Sequence, residues 1–182
     1  SEGAGLGIRF LKHLTRNRVL LHLVDVAPID GSDPANAACS VIQELERFSP
    51  ALAARPRWLV LNKIDLIDED TLQARREEIV AALAWQGPVY EISAVAGTQT
   101  DPLCGDLMTH LEHLMEQYQT DAVALEEEQA AQEQMQQEAR ERIATLNRAR
   151  AEARHTAQHG SQDQVLDADE DADGEVDVEY RY

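Results

Sequence analysis

Aromatic side chains are scarce in this chain: two Phe, two Trp and four Tyr make up 4% of its 182 residues. With so few large rings, any core must be built from Leu, Val, Ile and Ala, and there is material for one modest globular unit plus tails. Only two cysteines occur, Cys39 and Cys104, far apart and without paired spacing. That argues against a disulfide framework or a cysteine-based metal site, and reduced thiols in a cytosolic protein are the expectation. No run of about 18 apolar residues occurs, so no membrane span is expected. Basic residues are also few: 16 Lys and Arg stand against 34 Asp and Glu, a net charge of −18.

The charge is unevenly placed. Residues 1–118 are mixed, whereas Asp167, Asp169, Glu170, Asp171, Asp173, Glu175, Asp177 and Glu179 crowd the C-terminus. These carboxylates repel one another and have little apolar surface to offset that repulsion, so 161–182 is expected to be a disordered acidic tail. Such a segment repels nucleic-acid phosphates, and a basic protein partner suits it better. Asp169, Asp171, Asp173 and Gly174 have a passing likeness to a calcium loop, but Tyr180 stands where the bidentate Glu is required, which argues against that reading. Residues 119–160 are rich in Ala, Gln, Glu and Arg, strong helix formers, and Glu138 and Arg142 have the favourable i,i+4 orientation. Met135, Ala139, Ile143 and Leu146 form only a thin apolar stripe, so a solvated and partly frayed helical linker is expected there.

Residues 1–118 read as an open parallel α/β sheet. The apolar runs at 19–24, 58–61 and 89–92 suit short strands covered on both faces. Helical patterns alternate with them. Asp33-Pro34 is a cap followed by proline at the first helical position, and Ala38, Val41, Ile42, Leu45 and Phe48 then share one face. A second helix starts near Asp68 and buries Leu72, Ile79, Val80 and Leu83. Asp101-Pro102 repeats the cap–proline device ahead of Leu103, Leu107, Leu111, Leu114 and Tyr118.

Asn62-Lys63-Ile64-Asp65 stands where the 58–61 strand gives way to a loop, and ligands of open α/β sheets bind at the carboxyl ends of strands. Guanine offers two adjacent donors, N1 and N2, to a carboxylate such as that of Asp65. A base without them leaves a desolvated charge unpaired, at a cost of roughly 1–3 kcal/mol or more. The Asn62 side chain suits the O6/N7 edge, and the Lys63 stem suits the flat of the base. A polar loop closed by an Asp cap is the plainer reading of the tetrapeptide alone. Ser93-Ala94-Val95, ending the next strand, adds small residues that let the backbone approach a base, with the Ala94 N–H placed to donate to O6.

With these residues in view, the chain resembles the later part of the GTPase domain of the Obg (CgtA) family, ribosome-assembly GTPases. The resemblance rests on residues 1–14, 18–25, 56–65 and 103–108 and covers about 1–118. It implies a P-loop NTPase-like parallel sheet, with Asn62, Lys63, Ile64 and Asp65 as the fourth nucleotide motif and Ser93, Ala94 and Val95 as the fifth. It further implies GTP or GDP as ligand, Mg²⁺ in the whole enzyme, GTP hydrolysis, the large ribosomal subunit as partner, and a cytoplasmic monomer. Similar acidic tails occur in enterobacterial-type members.

Neither a Gly-x-x-x-x-Gly-Lys-Ser/Thr phosphate loop nor a phosphate-sensing Asp-x-x-Gly element occurs. In the family these precede the part matched here, as do the Mg²⁺ ligands, so the expectation is a piece of a longer protein that reads the base and by itself hydrolyses GTP poorly or not at all. No residue is assigned a catalytic role. Gly3-Ala4-Gly5-Leu6-Gly7 lacks dinucleotide-fold spacing and by resemblance belongs to switch II and its helix. His110 and His113, without companion ligands, are expected at the surface, and His22 as a core histidine with a hydrogen-bond partner. The alternative reading is an inert interaction module presenting the helix and acidic tail on an α/β scaffold.

Overall fold

The computed structural model describes residues 7–166. The acidic run from Asp167 onward and the first glycines, Gly3 and Gly5, lie outside the described residues. Three parallel strands form one sheet in the order β1-β2-β3: β1 Leu20–Asp25, β2 Arg57–Asn62 and β3 Val89–Ile92. The expected strands hold to within a residue at each end. Six helices accompany them: α1 Ile8–Leu14, α2 Pro34–Phe48, α3 Pro50–Ala53, α4 Glu69–Ala82, α5 Thr100–Thr120 and α6 Ala122–Leu166.

The central strand explains the order. Trp58, Leu59, Val60 and Leu61 are all buried, as an interior strand covered on both faces requires. On one face Leu59 and Leu61 join Val24 of β1, Val26 just after it, Ala35 and Ala38 of α2, and Ile79 of α4. On the other, Trp58 and Val60 join Ile92 and Leu103 of β3 and α5. Burying Leu59 and Leu61 stabilises the fold by roughly 2 kcal/mol each. β1 departs from the expected two-sided burial: Leu20, His22 and Val24 are buried, but Leu21 and Leu23 are 37% and 54% exposed. β1 is an edge strand, and these two side chains point away from the α2–α4 layer.

Local signals act largely as read. Asp33 accepts hydrogen bonds from the Ala35 and Asn36 amides with Pro34 at the first helical position, and Asp68 caps α4 through the Thr71 amide at 2.8 Å. Asp101 does not cap α5. The helix begins two residues earlier than expected, at Thr100, behind a left-handed Gln99 (φ 57°), because Thr100 Oγ1 donates to the Gly97 carbonyl and ends the preceding loop. At the far end of α5, Asp121 breaks the helix in extended backbone and caps α6 through the Val123 and Ala124 amides.

The expected solvated linker is corrected. The first part of α6 packs against the sheet unit: Met135 is 0% and Ala139 3% exposed. Glu128, 8% exposed, forms a two-pronged ion pair with Arg55, and Glu138 accepts from the Ser49 hydroxyl at 2.6 Å and the Ala51 amide at 3.0 Å. The chain accordingly divides into compact units 1–142 and 143–182. α6 also continues to Leu166, past the boundary expected at 160; Gly160 costs about 1 kcal/mol against Ala in a helix but does not stop this one. Among the described residues, no helix is long and apolar enough to cross a membrane.

Candidate functional site

The parallel register sets Asp25, Asn62 and Ile92 side by side at the carboxyl ends of β1, β2 and β3. The Asn62–Asp65 tetrad and Ser93-Ala94-Val95 therefore share one edge of the sheet, as the sequence implies. Asn62 joins them directly: its side-chain oxygen accepts from the Lys63 amide at 2.9 Å and from the Ala94 amide at 3.0 Å. The Ala94 N–H is thus held by Asn62, a difference from its expected role as a donor to a base. Both bonds fall on one oxygen, and the effect is to fix the spacing of the two loops.

Ser93 is 1% exposed and structural. Its backbone pairs with Thr98 in both directions at 3.1 Å, and its hydroxyl accepts from the Ala96 amide. The 93–98 segment is thereby closed into a small loop, turned at Gly97 (φ 72°), with Val95 at its tip and 95% exposed. Ile64 turns inward against the α2–α4 core cluster. It anchors the 3-10 turn Ile64–Leu66 and leaves Asp65 outside. Asp65 is exposed, and no described residue donates a hydrogen bond to its carboxylate.

Lys63 carries the strain of the site. Its φ of 73° is left-handed, which costs a non-glycine residue about 1 kcal/mol. The cost is tolerated because both ends of the residue are held, the amide by Asn62 Oδ1 and the ammonium by Asp25 Oδ2 at 2.5 Å. Asp25, the last residue of β1, spends its other oxygen on the Ala27 amide. Sequence reading passed over Asp25 as a site residue. The available signal was a carboxylate ending the strand next to a tetrad that contains a lysine.

Two open hollows flank the tetrad. One, of about 410 Å³, is lined by Asp25, Asp30, Ser32, Pro34 and Lys63 among others; the second, of about 450 Å³, by Ile64, Tyr90, Thr98 and Gln99 among others. Asp30 is held below its ordinary carboxylate range by the Ser32 amide and hydroxyl. Among the described residues, no three His, Cys, Asp or Glu side chains gather as a metal-ligand set. The arrangement offers an exposed carboxylate, Asp65, able to accept hydrogen bonds three residues beyond Asn62, whose side chain fixes the adjoining loops.

The other sequence candidates lie apart. Cys39 and Cys104 are free thiols. His113 is exposed, but His110 packs tilted against Trp58 at 5.4 Å rather than standing free at the surface. His22 is buried as expected, yet neither ring nitrogen has a hydrogen-bond partner among the described residues. No protein-family model matches the chain.

Proposed function

We propose that this chain is the base-recognising part of a guanine-nucleotide-binding domain. The observation that carries the reading is the position of the tetrad: it ends the central strand, its Asn62 is bonded to the loop after β3, and its Asp65 carboxylate faces out unengaged. A carboxylate in that place accepts the N1 and N2 donors of guanine and is left unpaired by adenine. The resemblance to Obg-family GTPases supports a wider proposal for the whole protein. In it, a P-loop-like fold supplies the phosphate and Mg²⁺ groups from elsewhere in the sequence, GTP is hydrolysed, and the large ribosomal subunit is the partner. This chain's share is selection of the nucleotide.

Calorimetric titration with guanosine and GDP, against adenosine and ADP, tests the reading. Guanine compounds are expected to bind more tightly. Asp65→Asn is expected to weaken GDP by about tenfold or more, as loss of a bidentate base contact does, and to gain xanthosine diphosphate, whose 2-oxo group accepts from an amide. Equal affinity for both bases, or GDP binding untouched by Asp65→Asn, overturns it.

A further inference from the structure

Lys63 is the member of the tetrad whose conformation is most constrained and whose charge is already engaged. Its backbone is left-handed, its amide is bonded to Asn62, and its ammonium reaches from the end of β2 to the carboxylate that ends β1. The stem therefore spans the carboxyl ends of two neighbouring strands. The hollow beside that ammonium is lined by the carboxylates of Asp25 and Asp30. One cation between two carboxylates makes a poor seat for phosphate, whereas a neutral ring meets no such repulsion.

We propose that Asp25 is a positioning residue for the base site: it fixes the Lys63 ammonium so that the aliphatic stem forms a wall for one face of a planar purine, and keeps that charge from serving as a phosphate contact. The proposal rests on the tetrad being a base reader. It assigns the lysine's stem to binding and its charge to orientation. The pair is partly open to water, with 38% and 35% of the Asp25 and Lys63 side chains exposed, so it contributes little to overall stability. What it supplies is geometry, and that separates it from a structural ion pair.

The test uses the 182-residue chain. Asp25→Asn keeps an oxygen for the Ala27 amide and removes the charge that holds Lys63. It is expected to weaken guanosine and GDP alike, roughly fivefold, with the melting temperature unchanged and the guanine-over-adenine ratio retained. Asp25→Glu is expected to restore part of the loss. Lys63→Met, which keeps the stem, is expected to lose less than Lys63→Ala, and adding Asp25→Asn to Lys63→Met is expected to change nothing further. Three results overturn the proposal: Asp25→Asn without effect on guanosine, an effect on GDP alone, or a loss of affinity that follows a fall in melting temperature. If the wild-type chain binds no guanine compound, the base reading itself fails, and the purine wall fails with it. NMR of the Lys63 Cε–Nζ group separates the two cases. Restraint that disappears in Asp25→Asn shows that Asp25 positions Lys63 whatever the ligand, and its absence removes Asp25 from the site altogether.

Discussion

Glu128 grips Arg55 through both carboxylate oxygens, at 2.5 and 2.8 Å, with 7% and 9% of the two side chains exposed. Gln132 donates to the same carboxylate, and Arg18 lies 3.9 Å from it. The pair joins α6 to the segment that leads into β2, so a helix distant in sequence becomes part of the unit that presents the tetrad.

A desolvated pair of this kind is costly to break and cheap to replace. Glu128→Gln is expected to destabilise the chain by about 3 kcal/mol, because it leaves Arg55 buried and uncompensated. Replacing both, Glu128→Leu with Arg55→Met, is expected to recover most of that loss. Urea unfolding of the single and double variants checks it; a single variant within 0.5 kcal/mol of wild type, about the scatter of surface changes, counts against the buried pair.

Much of the sheet unit was legible in the sequence because its signals are local. Apolar runs gave β1 to β3, Asp33-Pro34 and Asp68 gave two helix starts, and the tetrad lies at the strand end where it was read. What escaped depends on distant residues. The stripe on α6 looks thin in the sequence because Glu128 and Gln132 are polar; with them included, 128, 132, 135 and 139 recur at helical spacing, and the buried charge becomes acceptable only once Arg55 is known to face it. Asp25 escaped for the same reason, since its partner lies 38 residues away. The Asp101-Pro102 signal misleads by two residues because Thr100 bonds back to Gly97.

His22 makes the chain sensitive to mild acid. Burial, and then the nearby Arg57 guanidinium, lower its pKa from 6.5 to about 4. An unfolded chain takes up this proton near pH 6.5, whereas the folded one does so only near pH 4, so between these values the unfolded state binds more protons. Stability contributed by the neutral imidazole is complete above pH 6.5 and falls as the pH drops towards 4, by about 3 kcal/mol over the interval. His22→Leu is expected to flatten that part of the stability–pH curve, as measured by thermal melts at fixed ionic strength. An unchanged slope assigns the acid sensitivity to other groups.

The carboxylates of α6 act at lower pH. Burial pushes the Glu128 carboxyl up, but the Arg55 bonds and charge, with Gln132 and Arg18, outweigh it and leave the group below its ordinary value of 4.5. Burial also pushes the Glu138 carboxyl up, but the Ser49 hydroxyl, the Ala51 amide and the Gln134 side chain together outweigh it and hold the group low. Both contributions are present above pH 4.5 and are lost as the pH falls through the depressed folded values. Docking of α6 is therefore expected to weaken only below pH 4.5, after the loss due to His22 has begun below pH 6.5. Limited proteolysis at stepped pH, read by mass spectrometry, checks this: new cleavage within 122–142 that sets in well above pH 4.5 contradicts it.

Met135 is the apolar counterpart of these contacts, fully buried on a helix whose neighbouring turns are mostly Gln and Glu. Truncating it to Ala removes the buried thioether and leaves a cavity, with a typical cost of 2–5 kcal/mol. Leu146 lies further along the same stripe but is only half-buried, so Leu146→Ala is expected to cost less than 1 kcal/mol, since far less apolar surface is at stake. A chain ending after residue 146 is accordingly expected to melt within a few degrees of the full chain, and one ending after 121 to lose cooperative unfolding, because it lacks Glu128, Met135, Glu138 and Ala139 together. Calorimetry of the two truncations settles the matter. A cooperative, undiminished transition in the shorter one means that α6 decorates the sheet unit and does not complete it.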